Sequence, residues 1–121
     1  AMDWRFLDGD AEIAPGVDAV LTAGHTAGHQ SFVVRLDSRR ERGQTHRWPG
    51  YVFACDAADL QENLDGDRPV SAGDGRPDEV TVEAIRRLKA IAVANGFRVL
   101  PGHDPVVWPG FAAELGYPVP E

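Results

Sequence analysis

The 121-residue sequence predicts an α/β fold built on a sheet with one main covering helix. Two observations carry this. Several apolar runs of strand length ("SFVVRL", "YVFAC", "FRVLP") are separated by turn-rich segments. One long amphipathic stretch, "DEVTVEAIRRLKAIAVANG", lies between the second and third of these runs. The length suits one domain with a core, and no linker divides it.

The elements follow in order. Residues 4–22 read as β structure, with Trp4, Phe6, Ile13, Val17, Val20 and Leu21 between the turn signals "DGD" and "PG". Ser31 to Leu36 is a strand. Asp37 to Gly50, polar and turn-rich, reads as an exposed hairpin loop. Tyr51 to Cys55 is an apolar strand, which would point the Cys55 side chain away from Asp56. The next segment is irregular, with one helical turn near Leu60. A helix is expected over residues 79–94, where Thr81, Ile85, Leu88 and Ala92 form a stripe. Glu83 and Arg87 are spaced to pair along it, and Asn95-Gly96 supplies the stop. "FRVLP" is a further buried strand, and "FAAELG" a short helix ended by prolines.

Composition removes whole classes of function. The net charge of −7 argues against nucleic acid, whose phosphates require a basic face. No apolar run reaches the roughly 20 residues of a membrane span, and no signal peptide is visible. A single cysteine, Cys55, cannot form an intrachain disulfide, so a cytoplasmic setting is expected. Ala1 before Met2 reads as the remnant of an expression tag, which leaves residues 2–121 as the domain.

The four-residue unit TAGH occurs twice, in "LTAGHTAGHQS", and sets His25 and His29 at helical spacing. A helix there is disfavoured, because Gly24 and Gly28 each cost about 1 kcal/mol in a helix interior. A loop is expected, able to aim an imidazole at a fixed point. His29 precedes one strand, while Asp56 and His103 follow two others. Imidazole and carboxylate are suitable ligands for zinc and similar divalent ions. Cys55 reads as a buried structural thiol. Arg39, Arg40, Arg42 and Arg47 are interleaved with Asp37 and Glu41, as on a solvated loop. Trp48 and Trp108, each beside a proline, suit packing or a pocket mouth.

"TAGHTAGHQSFVV", "ACDAADLQENL" and "LPGHD" together resemble, in order and approximate spacing, the metallo-β-lactamase superfamily, most of all its N-acyl homoserine lactone lactonases. Ala23 and Ala27 stand where that family commonly has prolines. The resemblance implies the C-terminal half of an αββα sandwich with a mixed sheet. It implies metal-ligand roles for His29, Asp56 and His103, with Asp56 also catalytic as the bridging carboxylate, and a loop-shaping role for His25. Asp59 falls where the lactonases often place a tyrosine that contacts substrate, and is the expected substrate-facing residue. A carboxylate cannot donate the hydrogen bond a tyrosine would.

The implied chemistry is hydrolysis of a lactone or related ester by a metal-bound hydroxide, with Zn²⁺ or another divalent ion as cofactor. The family's His-x-His-x-Asp-His motif does not occur in these residues, and His46, in the polar loop, cannot replace it. The metal complement of this chain is therefore expected to be incomplete or absent unless the missing half is supplied. A thioester hydrolase of the glyoxalase II type and a truncated, non-catalytic protein that binds metal and self-associates are the alternatives. Because the main helix covers only one sheet face, the other is expected to pair with a second copy or with a separate N-terminal half.

Overall fold

The computed structural model describes residues 1–36 and 47–119. The polar segment 37–46, with Arg39, Arg40, Arg42 and His46, and with it most of the expected hairpin loop, lies outside the described residues. Five strands form one mixed sheet in sequential order: β1 (Ala11–Ala14), β2 (Val17–Leu21), β3 (Gln30–Arg35), β4 (Gly50–Phe53) and β5 (Arg98–Leu100). β1 to β4 are antiparallel neighbours, while β4 and β5 are parallel. A parallel pair requires a crossover. Here α1 (Gln61–Gly66) and α2 (Asp78–Asn95) supply it, and α3 (Val107–Glu114) follows β5.

The stripe read from sequence, Thr81, Ile85, Leu88 and Ala92, lies on the buried face of α2, which also includes Ala84. Ala84, Ile85, Leu88 and Ala92 pack with Val20, Val33, Val52 and Leu64 into the main core. Asp78 and Glu79 occupy the first turn, where negative charge favours the helix. Gly96 ends it in a left-handed conformation, its N–H donating to Ala92 and Val93 carbonyls. Arg87 does not turn to Glu83 along the helix; it donates to the Leu21 carbonyl and pairs with Asp10. Its long side chain reaches the hairpin that lies against α2, where two acceptors converge.

Three further expectations are corrected. β structure over residues 4–22 is confined to β1 and β2. Residues 1–8 have no regular structure, and Phe6 is 89% exposed. The aromatic side chains there meet no apolar surface that would hold a strand. The strand ending in Cys55 stops at Phe53. Cys55 enters a short 3₁₀ turn, Cys55–Ala57, with φ +52°, a costly left-handed conformation for a non-glycine residue. Its half-buried thiol lies 3.8 Å from the Phe53 carbonyl, and burial pushes its pKa up.

The third correction concerns the second sheet face, which is not left bare. Tyr51, Phe53 and Trp48 on that side pack against Val107, Trp108, Phe111 and Leu115. Tyr51 and Phe111 meet edge to face at 5.0 Å between centroids, and Trp108 stacks on Phe53 at 6.2 Å. α3 begins earlier than the "FAAELG" reading because the Asp104 carboxylate accepts the Val106 and Val107 N–H groups, at 2.8 and 3.0 Å. Coverage is partial: a cavity of about 240 Å³ remains, lined by Val34, Leu36, Tyr51, Phe53, Phe111 and Leu115.

Candidate metal centre

The site is built where β4 and β5 end. The two strand ends are drawn together by Ala54 N–H donating to the Leu100 carbonyl at 2.9 Å. Beyond them, Gly102 and His103 donate to the carbonyls of Ala58 and Asp59, both at 2.8 Å. Gly102 makes this approach possible, because a Cβ there would lie 2.3 Å from the Cys55 carbonyl oxygen. Trp108 locks the same turn, its indole N–H reaching the Pro101 carbonyl at 2.9 Å and that of Gly102 at 3.1 Å. Trp108 thus has a packing and clamping role.

The TAGH repeat is a loop, as its glycines require. Thr22 N–H donates to the His29 carbonyl at 2.9 Å and closes it. Gly24 sits against α2, where a Cβ would come within 3.1 Å of the Thr81 Cα. The two histidines differ sharply in their partners.

His29 is half-buried and uses both ring nitrogens inside the protein. Its Nδ1 is 2.9 Å from Thr22 Oγ1, which is 2.7 Å from Ser31 Oγ, which donates to the Ala54 carbonyl at 2.9 Å. A carbonyl only accepts, so the single Ser31 proton is committed to it. Thr22 must then donate to Ser31, and His29 Nδ1–H to Thr22. Nε2 is consequently the unprotonated nitrogen, and it accepts the Asp56 N–H at 3.1 Å. Burial, the largest influence, lowers the His29 pKa and keeps the ring neutral.

His25 is more exposed. Its Nδ1 donates to the Ser71 carbonyl at 2.8 Å, and its own carbonyl accepts the Gly73 N–H at 3.1 Å. Nε2 faces the site, 3.9 Å from Asp56 Oδ2. Asp56 Oδ1 lies 2.6 Å from His103 Nε2. That hydrogen bond is the leading cause both of the lowered Asp56 pKa and of the raised His103 pKa. Asp59 also reaches the site: one ligand atom each from Asp56, Asp59 and His103 lie within 4.8 Å of one another.

The structure therefore brings His29, Asp56 and His103 together, and adds the side chains of His25 and Asp59. Sequence reasoning missed Thr22, just past the end of β2, and Ser31 in β3, whose sequence neighbours give no local sign of a shared chain. It also missed Asp104, which is nearly buried and whose other oxygen accepts the Gln61 N–H at 2.9 Å. The Asp104-Pro105 pair was the available signal, since such pairs start turns. The donor set of imidazoles and carboxylates suits a divalent ion.

No family model matches the chain. It is 29% identical over 103 residues to an N-acyl homoserine lactonase of a Bacillus species, covering 85% of this chain and 36% of that protein. It is 30% identical over 120 residues to the N-acyl homoserine lactonase AttM of Azorhizobium caulinodans, covering 94% and 41%. The chain thus spans roughly two fifths or less of these relatives' length. Among solved structures, an N-acyl homoserine lactone hydrolase with the product N-hexanoyl-L-homoserine bound at its catalytic metal centre superposes with a TM-score of 0.68 at 26% identity, covering 84% of this chain and 36% of that one. A probable metal-dependent hydrolase from Staphylococcus aureus shares the fold, with a TM-score of 0.58 at 17% identity, covering 81% and 31%. The chain is a relative of the N-acyl homoserine lactonases and carries part of a metallo-β-lactamase fold.

Proposed function

We propose that this chain provides one side of a divalent-metal centre for hydrolysis of a lactone, as the C-terminal half of a metallo-β-lactamase-like domain spanning residues 2–121. The observation that carries the reading is the convergence of imidazoles on the Asp56 carboxylate at the ends of β4 and β5, with Oδ1 toward His103 and Oδ2 toward His25. A carboxylate presenting its two oxygens in two directions is suited to bridging.

Asp56 and His103 are the proposed metal ligands. For the imidazole from the loop, sequence resemblance points to His29, but the geometry favours His25. His29 is half-buried with both nitrogens engaged, whereas the Nε2 of His25 faces the site. His29 then acts by holding the Asp56 backbone in place. Zinc is the simplest ion for this donor set. A bound divalent ion would lower the pKa of water toward about 7 and polarise the ester carbonyl. Asp56, held ionised, would accept a hydrogen bond from the attacking water and fix its direction.

The remaining donors, of the His-x-His-x-Asp-His kind, would come from an N-terminal half. That half, or a second copy, would fill the partly covered second face of the sheet. A cytoplasmic setting agrees with the single cysteine. The test is ring opening of an N-acyl homoserine lactone, followed by acid release, with this chain co-expressed with a lactonase N-terminal segment. Hydrolysis abolished by Asp56→Asn is expected. An assembled, metal-loaded complex that opens no lactone would refute the reading.

A further inference from the structure

We propose that Asp59 is a metal ligand, forming with Asp56 and His103 a site for one divalent cation on this chain alone. The proposal rests on the reading of Asp56 and His103 as ligands and assigns Asp59 a role different from the substrate contact expected at its position. Three observations carry it. First, one ligand atom from each of the three residues lies within 4.8 Å of the other two, close enough for small side-chain rotations to bring them to a common point. Ligand distances of about 2.0–2.2 Å require such crowding.

Second, the three donors stand on a fixed frame. Asp56 lies in the 3₁₀ turn, and Asp59 follows just past the extended Ala58. The backbone of this segment is bound to the His103 turn twice, through Gly102 N–H to the Ala58 carbonyl and His103 N–H to the Asp59 carbonyl. The Asp59 main chain is thus tied directly to the residue whose imidazole it would join. Third, the Asp59 carboxylate accepts no hydrogen bond from any described residue. Among the described residues its oxygens are committed to no cap and no ion pair, which suits them to a cation.

The chemistry of the set specifies the ligand further. Two carboxylates neutralise a divalent charge, and one imidazole adds a borderline donor. This set is harder than one rich in imidazole, so the Asp59 carboxylate narrows the margin by which Zn²⁺ outbinds oxygen-preferring ions such as Mn²⁺.

The experiment is calorimetric titration of the metal-free 121-residue chain with Zn²⁺ and, separately, Mn²⁺ near neutral pH. The wild-type chain should bind one ion. Asp59→Asn should weaken binding by at least about tenfold, with the larger loss for Mn²⁺, while Asp59→Glu retains part of it. The metal-free thermal midpoint of D59N should not change, because the backbone carbonyl that holds His103 is kept. If D59N binds both ions as tightly as wild type while D56N and H103A lose binding, Asp59 is not a ligand and the wider metal reading stands. If D56N and H103A also bind as wild type, the wider reading falls with it.

Discussion

Replacing Thr22 with valine keeps shape and β-branching but cuts the hydrogen-bond chain that orients His29. Thr22 is 2% exposed, so water cannot readily replace its hydroxyl. The substitution leaves the His29 Nδ1–H without an acceptor, and the buried Ser31 oxygen loses its donor while keeping its own bond to the Ala54 carbonyl. Each unsatisfied buried group costs about 1–3 kcal/mol. Partial exposure of His29 places its share at the low end, so a total loss of about 2–4 kcal/mol is expected. Unfolding entropy near 2.1 cal/mol/K per residue gives about 0.25 kcal/mol/K for a chain of 121 residues. The midpoint should therefore fall by about 8–16 °C. Thermal unfolding followed by circular dichroism measures this. Long-range ¹H–¹⁵N NMR correlations read the tautomer directly: wild-type His29 should carry its proton on Nδ1, and T22V should release that preference. A wild-type ring protonated on Nε2 would refute the directional argument, and so would an unchanged midpoint in T22V.

Three further outcomes are expected. Gly102→Ala should lower the unfolding free energy, measured by denaturant titration, by about 3 kcal/mol, since its Cβ would meet backbone rather than a movable side chain; a variant as stable as wild type would show that the two turns are not in tight contact. Asp104→Ala should cost about 1–2 kcal/mol and speed amide exchange at Val106 and Val107, which lose their acceptor; unchanged exchange would remove Asp104 as the anchor of α3. Metal affinity should fall with acidity from an onset above the ordinary imidazole pKa of about 6.5, because Asp56 stabilises the proton on His103 Nε2 and an ion taking that nitrogen must displace it. The proton is held more tightly than on a free imidazole, so competition begins at higher pH; titrations giving equal affinity at about pH 8 and about pH 6 would contradict this.

Much of the scaffold was legible because its signals are local. The α2 stripe is a matter of spacing, its end a matter of Gly96, and the TAGH loop a matter of glycine in what would otherwise be a helix. What escaped depends on partners distant in sequence. The two TAGH units are identical as text, yet Ser71 receives one imidazole and Thr22 the other. Only tertiary structure separates a ring facing the site from one held behind it. Cys55 reads as strand because its neighbours are apolar, whereas its left-handed backbone follows from the approach of Gly102. Residues 4–8 have strand-forming aromatics but no packing surface, so their intrinsic preference is not expressed.

The parallel seam between β4 and β5 also dictates when the site comes into being. Phe53 pairs with Leu100 across the whole α1–α2 crossover, while β2 and β3 meet through a short loop. Closing the longer segment costs more chain entropy and is slower, so the β1–β3 meander is expected to form early and β5 to dock late. His103 arrives with β5. A refolding chain would thus acquire metal affinity in its last kinetic phase, and an ion present from the start would slow unfolding without accelerating the early collapse.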